Sequence, residues 1–379
     1  MKNPLLPRSD YPILEQIVYL NQASLGMIGQ PAVSAMHTFI ESVGRHGNLF
    51  MSDADEVSYY ENLRQQGALI LGSRSSQIAI LSGASELFGQ LPYLFPVRPD
   101  QTVLLLSSDF PAITRPWLRL EQMGGCKVQF VDDDPNQDLT ETLCAALNPQ
   151  TAVVAVSYVQ YATGSRIYPV RLRQATAHVG AKLVIDVTQA AGAIPIAADD
   201  WQADVVISSG YKWLGGHGGV ALAALAPDIL AVSPPLPGWM GATDPFDFDA
   251  TELDLAPDAR RFTQSTMSYA SLAALTVGIQ QLLQVGIEPI EAHAKGLAEQ
   301  LIGGLAGSGW EPFRPVGDPA SSAHIISLAH PDYDVVQAVQ RLRDANIVCG
   351  ARGGRIRVSL AAYNCAADVE RFIQVLTTG

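Results

Sequence analysis

The sequence predicts an α/β protein. The expected large domain has a mostly parallel seven-stranded sheet between helices, and a smaller α+β C-terminal domain accompanies it. Three observations lead there. Seven short apolar runs recur between residues 77 and 224, and they are continuous rather than alternating, as in strands buried on both faces. Helix-length segments separate them, and strand–helix alternation builds a parallel sheet. The chain has 379 residues, 48% of them apolar and 16% charged. That length suits two domains and a large core without disulfide or metal staples.

The elements follow in order. The first residues read as an extended arm, and a helix is expected from about Pro31 to Gly44. Candidate strands are Gln77–Leu81, Thr102–Ser107, Lys127–Val131, Ala152–Ser157, Lys182–Val187, Asp204–Ser208 and Gly219–Ala224. Helical stretches between them include Ser85–Leu94, Pro116–Met123 and Val170–His178. Ser233–Arg261, with SPPLPGW and DPFDFD, is irregular, and long loops in compact domains are usually functional or interfacial. Ser268–Gln284 and Pro289–Gly304 read as long helices. The small unit then needs a strand at His324–Leu328, a helix at Tyr333–Asp344, strands near Ile347 and at Arg355–Ser359, and a last helix from Ala366. The expected division is an arm over 1–30 joining the small domain, a cofactor-binding large domain over 31–265 and a small domain over 266–379.

Charge and cysteine content narrow the function. Lys+Arg 24 against Asp+Glu 37 gives −13 with no basic run, a poor match for nucleic acid or an anionic membrane. Any bound anion needs a local site. The cysteines at 126, 144, 349 and 365 fit no paired metal motif and are too sparse for a disulfide framework, so no metal site is expected. The opening MKNPLLPRSDYPILEQ lacks a signal-peptide apolar core, and no apolar stretch reaches the ~20 residues of a membrane span. The expectation is a soluble, cytoplasmic protein.

The chemistry concentrates in LVIDVTQAAGAIPI and ADVVISSGYKWLGGHGG. Asp186 closes one apolar strand and Lys212 follows the next. In a doubly wound sheet, strand C-terminal ends converge on one crevice, so both residues can face one ligand. Taken alone the pair equally fits a salt bridge at a sheet end. The adjoining Gly, Ser, Tyr and Gln favour pyridoxal phosphate, whose aldehyde forms a Schiff base with lysine and whose pyridine nitrogen needs an acid partner. SGASE, between an apolar strand and a helix, offers the backbone N–H groups of Ala84 and Ser85 to a phosphate, although a serine N-cap explains it as well.

Six segments in one order carry a resemblance. They are YLNQASLG at Tyr19–Gly26, LSGASE at Leu81–Glu86, DFPAITRPW at Asp109–Trp117, IDVTQ at Ile185–Gln189, SGYKW at Ser209–Trp213 and RIRVSLAAYN at Arg355–Asn364. Together they resemble the fold-type I pyridoxal-phosphate enzymes, specifically the class V aminotransferase family of cysteine desulfurases, C–S lyases, kynureninases and isopenicillin N epimerase. The resemblance implies Lys212 as Schiff-base lysine and proton mover, and Asp186 as partner of the ring nitrogen. Gln189 would hydrogen-bond the ring's O3′ and Phe110 would stack on the ring. Ser209 and Tyr211 would hold the phosphate, joined by Thr266 from a partner subunit of a homodimer with shared sites. In that segment the family's flanking glycine and proline are here Ser265 and Met267. Arg357 would take the substrate carboxylate, with Asn21 and Tyr161 on the same side.

The branch is less defined. Cys349 lies in a short stretch before Arg357, without room for the mobile loop a desulfurase needs, and reads as a small buried hydrophobe. Tyr161 stands where desulfurases tend to have Asn. SYVQYATG, GYKW and PGWMG look more like kynureninases, yet those carry His where this chain has Gln189. His217, in GGHGG, reads as a turn residue. The expected substrate is a small α-amino acid, with transamination or C–S lyase chemistry ahead of desulfuration or kynureninase-like hydrolysis. The non-enzyme alternative is a phosphate-ligand-binding α/β module, in which Lys212 has no role.

Overall fold

The computed structural model describes residues 3–378. The seven expected strands form one sheet in the order Ile78–Leu81, Ala221–Leu225, Val205–Ser209, Lys182–Asp186, Thr151–Ser157, Thr102–Leu106 and Lys127–Val131. Ala221–Leu225 runs antiparallel to both neighbours, and every other pairing is parallel. The apolar runs are continuous because successive side chains serve two cores. Ile80, Leu104, Val154, Leu183 and Val206 face one, while Ala79, Leu105, Val153, Val184 and Ile207 face the other. At ~25 cal/mol per Å² of apolar surface removed from water, this double burial is the main term holding the sheet.

Two of the longer helices differ from expectation. A 19-residue helix, Asp53–Leu71, has no counterpart in the sequence reading. Its buried Tyr60, Leu63, Arg64, Gly67, Ala68 and Leu71 trace one helical stripe, diluted by a glycine and a buried arginine. Its start was nonetheless written in the sequence. Ser52 accepts from Asp55 N while Asp55 accepts from Ser52 N, a capping box. The helix expected from Pro116 instead spans Pro111–Gln122. Pro111 takes the first turn, where its missing N–H costs nothing, and Pro116 lies inside.

The small unit is a four-stranded antiparallel sheet in the order Gly350–Arg352, Arg355–Ser359, Ile325–Ala329 and Glu311–Pro312. Its core joins Leu297 and Leu301 of helix Ile287–Gly304, Leu342 of Val335–Asp344 and Phe372 of Ala366–Thr377. Helix Tyr269–Val285 sends Leu272, Leu275, Ile279 and Leu282 into a core of the large sheet. The arm pairs Val18–Tyr19 in parallel with Ile347–Val348, then turns over the large sheet. Among the described residues no single helix is long and apolar enough to cross a membrane.

Candidate active site

The strands Lys182–Asp186 and Val205–Ser209 are parallel neighbours, with Asp186 opposite Ile207, so the first ends on Asp186 and the second leads into Lys212 on the same side. Ala84, Ser85, Phe110, Tyr161, Asp186, Gln189, Ser209, Tyr211 and Lys212 all line one cavity of about 170 Å³ at these strand ends. Residues separated by up to 128 positions in the chain thus meet because parallel strands deliver their C-terminal ends to one edge.

Lys212 is 6% exposed. Its Nζ lies 5.3 Å from the Phe110 ring centre and 5.7 Å from that of Tyr211. Burial pushes its amine down to about 8; Arg357 and Arg352 add to this and Asp186 opposes it. Asp186 is also buried. Burial raises its carboxyl, and hydrogen bonds from Thr188 together with the nearby Lys212 pull it back. Thr188 N donates to Asp186 Oδ1 at 2.7 Å, and Thr188 Oγ1 accepts from Ser209 N at 3.0 Å, so one threonine ties the two strand ends together.

Helix Ala84–Leu94 begins at the cavity wall. Its first N–H groups have no intrahelical acceptors and carry the positive end of the helix dipole, which suits a bound anion. Gln189 is held from both sides: Trp213 Nε1 donates to its Oε1 at 2.9 Å, and its Nε2 donates to Ala23 O at 3.0 Å. Nε2 keeps a second hydrogen. Behind it, His324 Nε2 donates to Gln189 O at 2.6 Å with its ring edge-on to Trp213, and burial lowers this imidazole to about 4, keeping it neutral.

Arg357 and Asn21 lie beside the cavity rather than in its wall. Arg357 is 1% exposed, and its Nη1 donates to Tyr161 O at 2.9 Å. Its Nη2 donates to Ser24 Oγ and, at 3.4 Å, to Asn21 Oδ1. Its Nε is buried without a partner. Burial lowers this guanidinium to about 10, with Arg352 contributing. The arm is pinned over the lysine, since Gln22 Nε2 donates to Lys212 O at 2.9 Å and Gly26 N to Tyr211 O at 3.0 Å. A Cβ on Gly26 would collide with Lys212 O, so only glycine permits this approach. Thr266 is exposed and outside the cavity.

The sequence reading passed over Thr188, Ser24, His324 and Asp109. The Asp109 carboxyl accepts from Ser157 N at 3.0 Å and Gln160 Nε2 at 3.3 Å, and burial, with Asp186 adding, pushes it up to about 7. Thr188, Asp109 and Ser24 lie inside the motif segments, where residue type alone does not separate them from their neighbours. Cys349 is 8% exposed in the small-domain core, and burial pushes its thiol up to about 12. None of the four cysteines lines the cavity. His217 is exposed, its Nδ1 against Gly218 O.

A buried lysine and aspartate at neighbouring strand ends, facing a helix N-terminus, define a site for a phosphorylated aldehyde cofactor on a doubly wound scaffold. A family model described as Aminotransferase class-V matches residues 18–372. The chain belongs to this family and is a pyridoxal-phosphate-dependent enzyme. It is similar to the uncharacterized aminotransferase YcbU of Bacillus subtilis (strain 168), 21% identical over 97% of this chain and 95% of that one. It is 23% identical to a probable cysteine desulfurase of Pyrococcus abyssi over 99% and 97% of the two chains. Among solved structures, the apo cysteine desulfurase from Thermococcus onnurineus NA1 matches with TM-score 0.87 at 21% identity, over 100% of this chain and 98% of that one. The cystine C–S lyase C-DES, in complex with its product cysteine persulfide, matches with TM-score 0.87 at 19% identity over 97% and 99%. At these identities the structural likeness concerns the fold.

Proposed function

We propose that this enzyme acts on a small α-amino acid by transamination or C–S lyase chemistry, with Lys212 as the amine that holds the cofactor and moves the substrate's α-proton. The carrying observation is that Lys212 lines one cavity with a buried acid, Asp186, while a buried guanidinium without an acid partner, Arg357, stands beside that cavity and acts on the same amine. Pyridoxal phosphate, when bound, supplies an aldehyde and a ring that accepts electrons from the α-carbon.

The chain's own residues fit that group. The amides of Ala84 and Ser85, with Ser209 and Tyr211, would hold its phosphate. Asp186, oriented by Thr188, would offer negative charge to the ring nitrogen, and Phe110 would cover the ring. The second Nε2 hydrogen of Gln189 is the donor left for O3′. A lysine amine near 8 is neutral in about one-tenth of molecules at pH 7 and about half at pH 8, far more than an ordinary lysine, so it could attack the aldehyde and take a proton from the α-carbon. Arg357 would hold the substrate's carboxylate and so orient its α-bonds. A desulfurase-type route needs a thiolate beside the substrate, and Cys349 is buried in the small-domain core with its thiol raised.

The exposure of Thr266, together with exposed Leu25, Ile40, Val43 and Leu49, supports a homodimer in which Thr266 reaches the partner's site. Sedimentation of the holoenzyme tests this, and a monomer with full cofactor occupancy refutes it.

The test of the reaction is a panel of α-amino acids given to the purified holoenzyme, assaying keto acid, sulfide, alanine and the cofactor's amine form separately. Keto acid with the amine form indicates transamination, and sulfide with keto acid indicates lyase chemistry. Sulfide production that disappears in C349S would overturn the reading in favour of a desulfurase.

A further inference from the structure

Two guanidinium groups stand at the edge of this site with no acid between them. Ser24 Oγ accepts from Arg357 Nη2 and, at 3.3 Å, from Arg352 Nη2, while its own proton goes to Asn21 Oδ1 at 2.9 Å. The partners of the two arginines are all uncharged: Tyr161 O, Asn21 Oδ1, Ser24 Oγ and Ala351 O. In a chain with 13 more acidic than basic side chains, two converging cations without a carboxylate mark a place reserved for an anion from outside.

The hairpin builds this pair. Gly350–Arg352 pairs antiparallel with Arg355–Ser359, Gly350 opposite Arg357 and Arg352 opposite Arg355, so all four share one face. The turn is Gly353-Gly354, both at positive φ, which makes a tight and well-defined connection. Gly350 leaves the space across which Arg357 lies, since a Cβ there would be 3.4 Å from Arg357 Nε and 3.1 Å from Asn21 Oδ1. Arg355 is used elsewhere, donating to Ser327 O and lying over the Phe313 ring. Arg352 is exposed while Arg357 is buried, so the two charges sit at different depths. Both lower the amine of Lys212, so both belong to the electrostatics of the same site.

We propose that Arg352 is a specificity-determining residue that pairs with a second carboxylate on the substrate's side chain, making the preferred substrates acidic α-amino acids of the aspartate or glutamate kind. This rests on the reading of Arg357 as holder of the α-carboxylate. The buried fork saturates one carboxylate, the one nearest Lys212. The outer guanidinium then meets whatever the side chain carries toward solvent, and an acid group there removes the repulsion between the two arginines.

The test compares holoenzyme of wild type, R352A and R352K. kcat/KM and α-proton exchange are measured for aspartate and glutamate against asparagine and glutamine. Succinate and propionate are compared as ligands through the shift they cause in the cofactor's absorption. Wild type should favour an acid over its amide by about tenfold or more, the scale of one charge-assisted hydrogen bond. R352A should abolish that ratio and the advantage of succinate over propionate, and R352K should restore part of both. Equal handling of acids and amides by wild type overturns the proposal, as does an equal loss for both in R352A, which would place Arg352 on the α-carboxylate. If amino acids of every kind leave the cofactor spectrum and α-protons unchanged, the reading of the site itself fails. If they react without regard to side-chain charge, only the role of Arg352 fails.

Discussion

The cofactor side and the substrate side of this site are built by opposite means. Asp186 and Lys212 stand 26 residues apart, one at the end of a strand and the other three residues past the end of its parallel neighbour, so the sheet and one short turn set their separation. Arg357 is hung between Tyr161, Asn21 and Ser24, partners 196, 336 and 333 residues away in the chain. The first half is local and sheet-borne. The second exists only where the arm, the small sheet and the loop after Thr151–Ser157 meet. Cofactor attachment should therefore survive damage that destroys substrate binding, whereas loss of Lys212 from the sheet-borne floor of the site should remove both.

Substitutions can break or sharpen that contrast. Lys212→Ala should lose covalent cofactor attachment, seen as absence of borohydride labelling, and reduce turnover by about 10²–10⁴-fold or more. Labelling of the protein at another lysine would sink the assignment. Arg357→Ala should keep the cofactor yet weaken substrate binding by roughly 2–5 kcal/mol, read mainly as a rise in KM. If cofactor occupancy collapses too, the two halves are not independent. Asp186→Asn should retain some cofactor and lower kcat by about 10²-fold or more, because an amide supplies no negative charge for the ring nitrogen. Kinetics like wild type would show that Asp186 is not the ring's partner.

A subtler effect concerns pH. The folded amine of Lys212 is near 8 rather than 10.5, so its neutral fraction grows as pH rises and saturates above about 8. Reconstitution of cofactor-free protein with pyridoxal phosphate should therefore accelerate roughly tenfold per pH unit below that value and level off above it. A rate still climbing past pH 9.5 would mean the amine is not depressed. The smallest effect is expected from Cys349→Ser, within about threefold of wild-type turnover, because the thiol packs in the small-domain core away from the cavity.

The same contrast governs what the sequence disclosed. The seven strands were legible because each is a continuous apolar run, and the floor because Asp186, Gln189 and Lys212 follow such runs at short range. The arm is expected to join the small domain and to bring Asn21 to the substrate side, but the contacts of Ser24 were not legible. Ser24 is a serine among small residues, and only the pairing of Val18–Tyr19 with Ile347–Val348 brings it under Arg357. Helix Asp53–Leu71 escaped because its apolar stripe holds Arg64, whose charge is satisfied inside the fold by Asp258, Ile78 O and Ser75 O. His324 acts through a backbone oxygen of Gln189, a relation that residue types do not encode.

The pairing of Ser24 with Arg357 also has a meaning in time. During synthesis the residues around Lys212 emerge long before Arg357. At about 5–20 residues per second, the 333 positions separating the two partners take roughly 15–70 seconds to make. Until Ile347–Val348 is made the arm has no strand to pair with, and once Ala221–Leu225 has emerged a nascent chain can form the large sheet without Arg357 and its partners. The surroundings proposed for the substrate's carboxylate are thus deferred until Ile347–Val348 and Arg355–Ser359 have been made and the arm can close upon them.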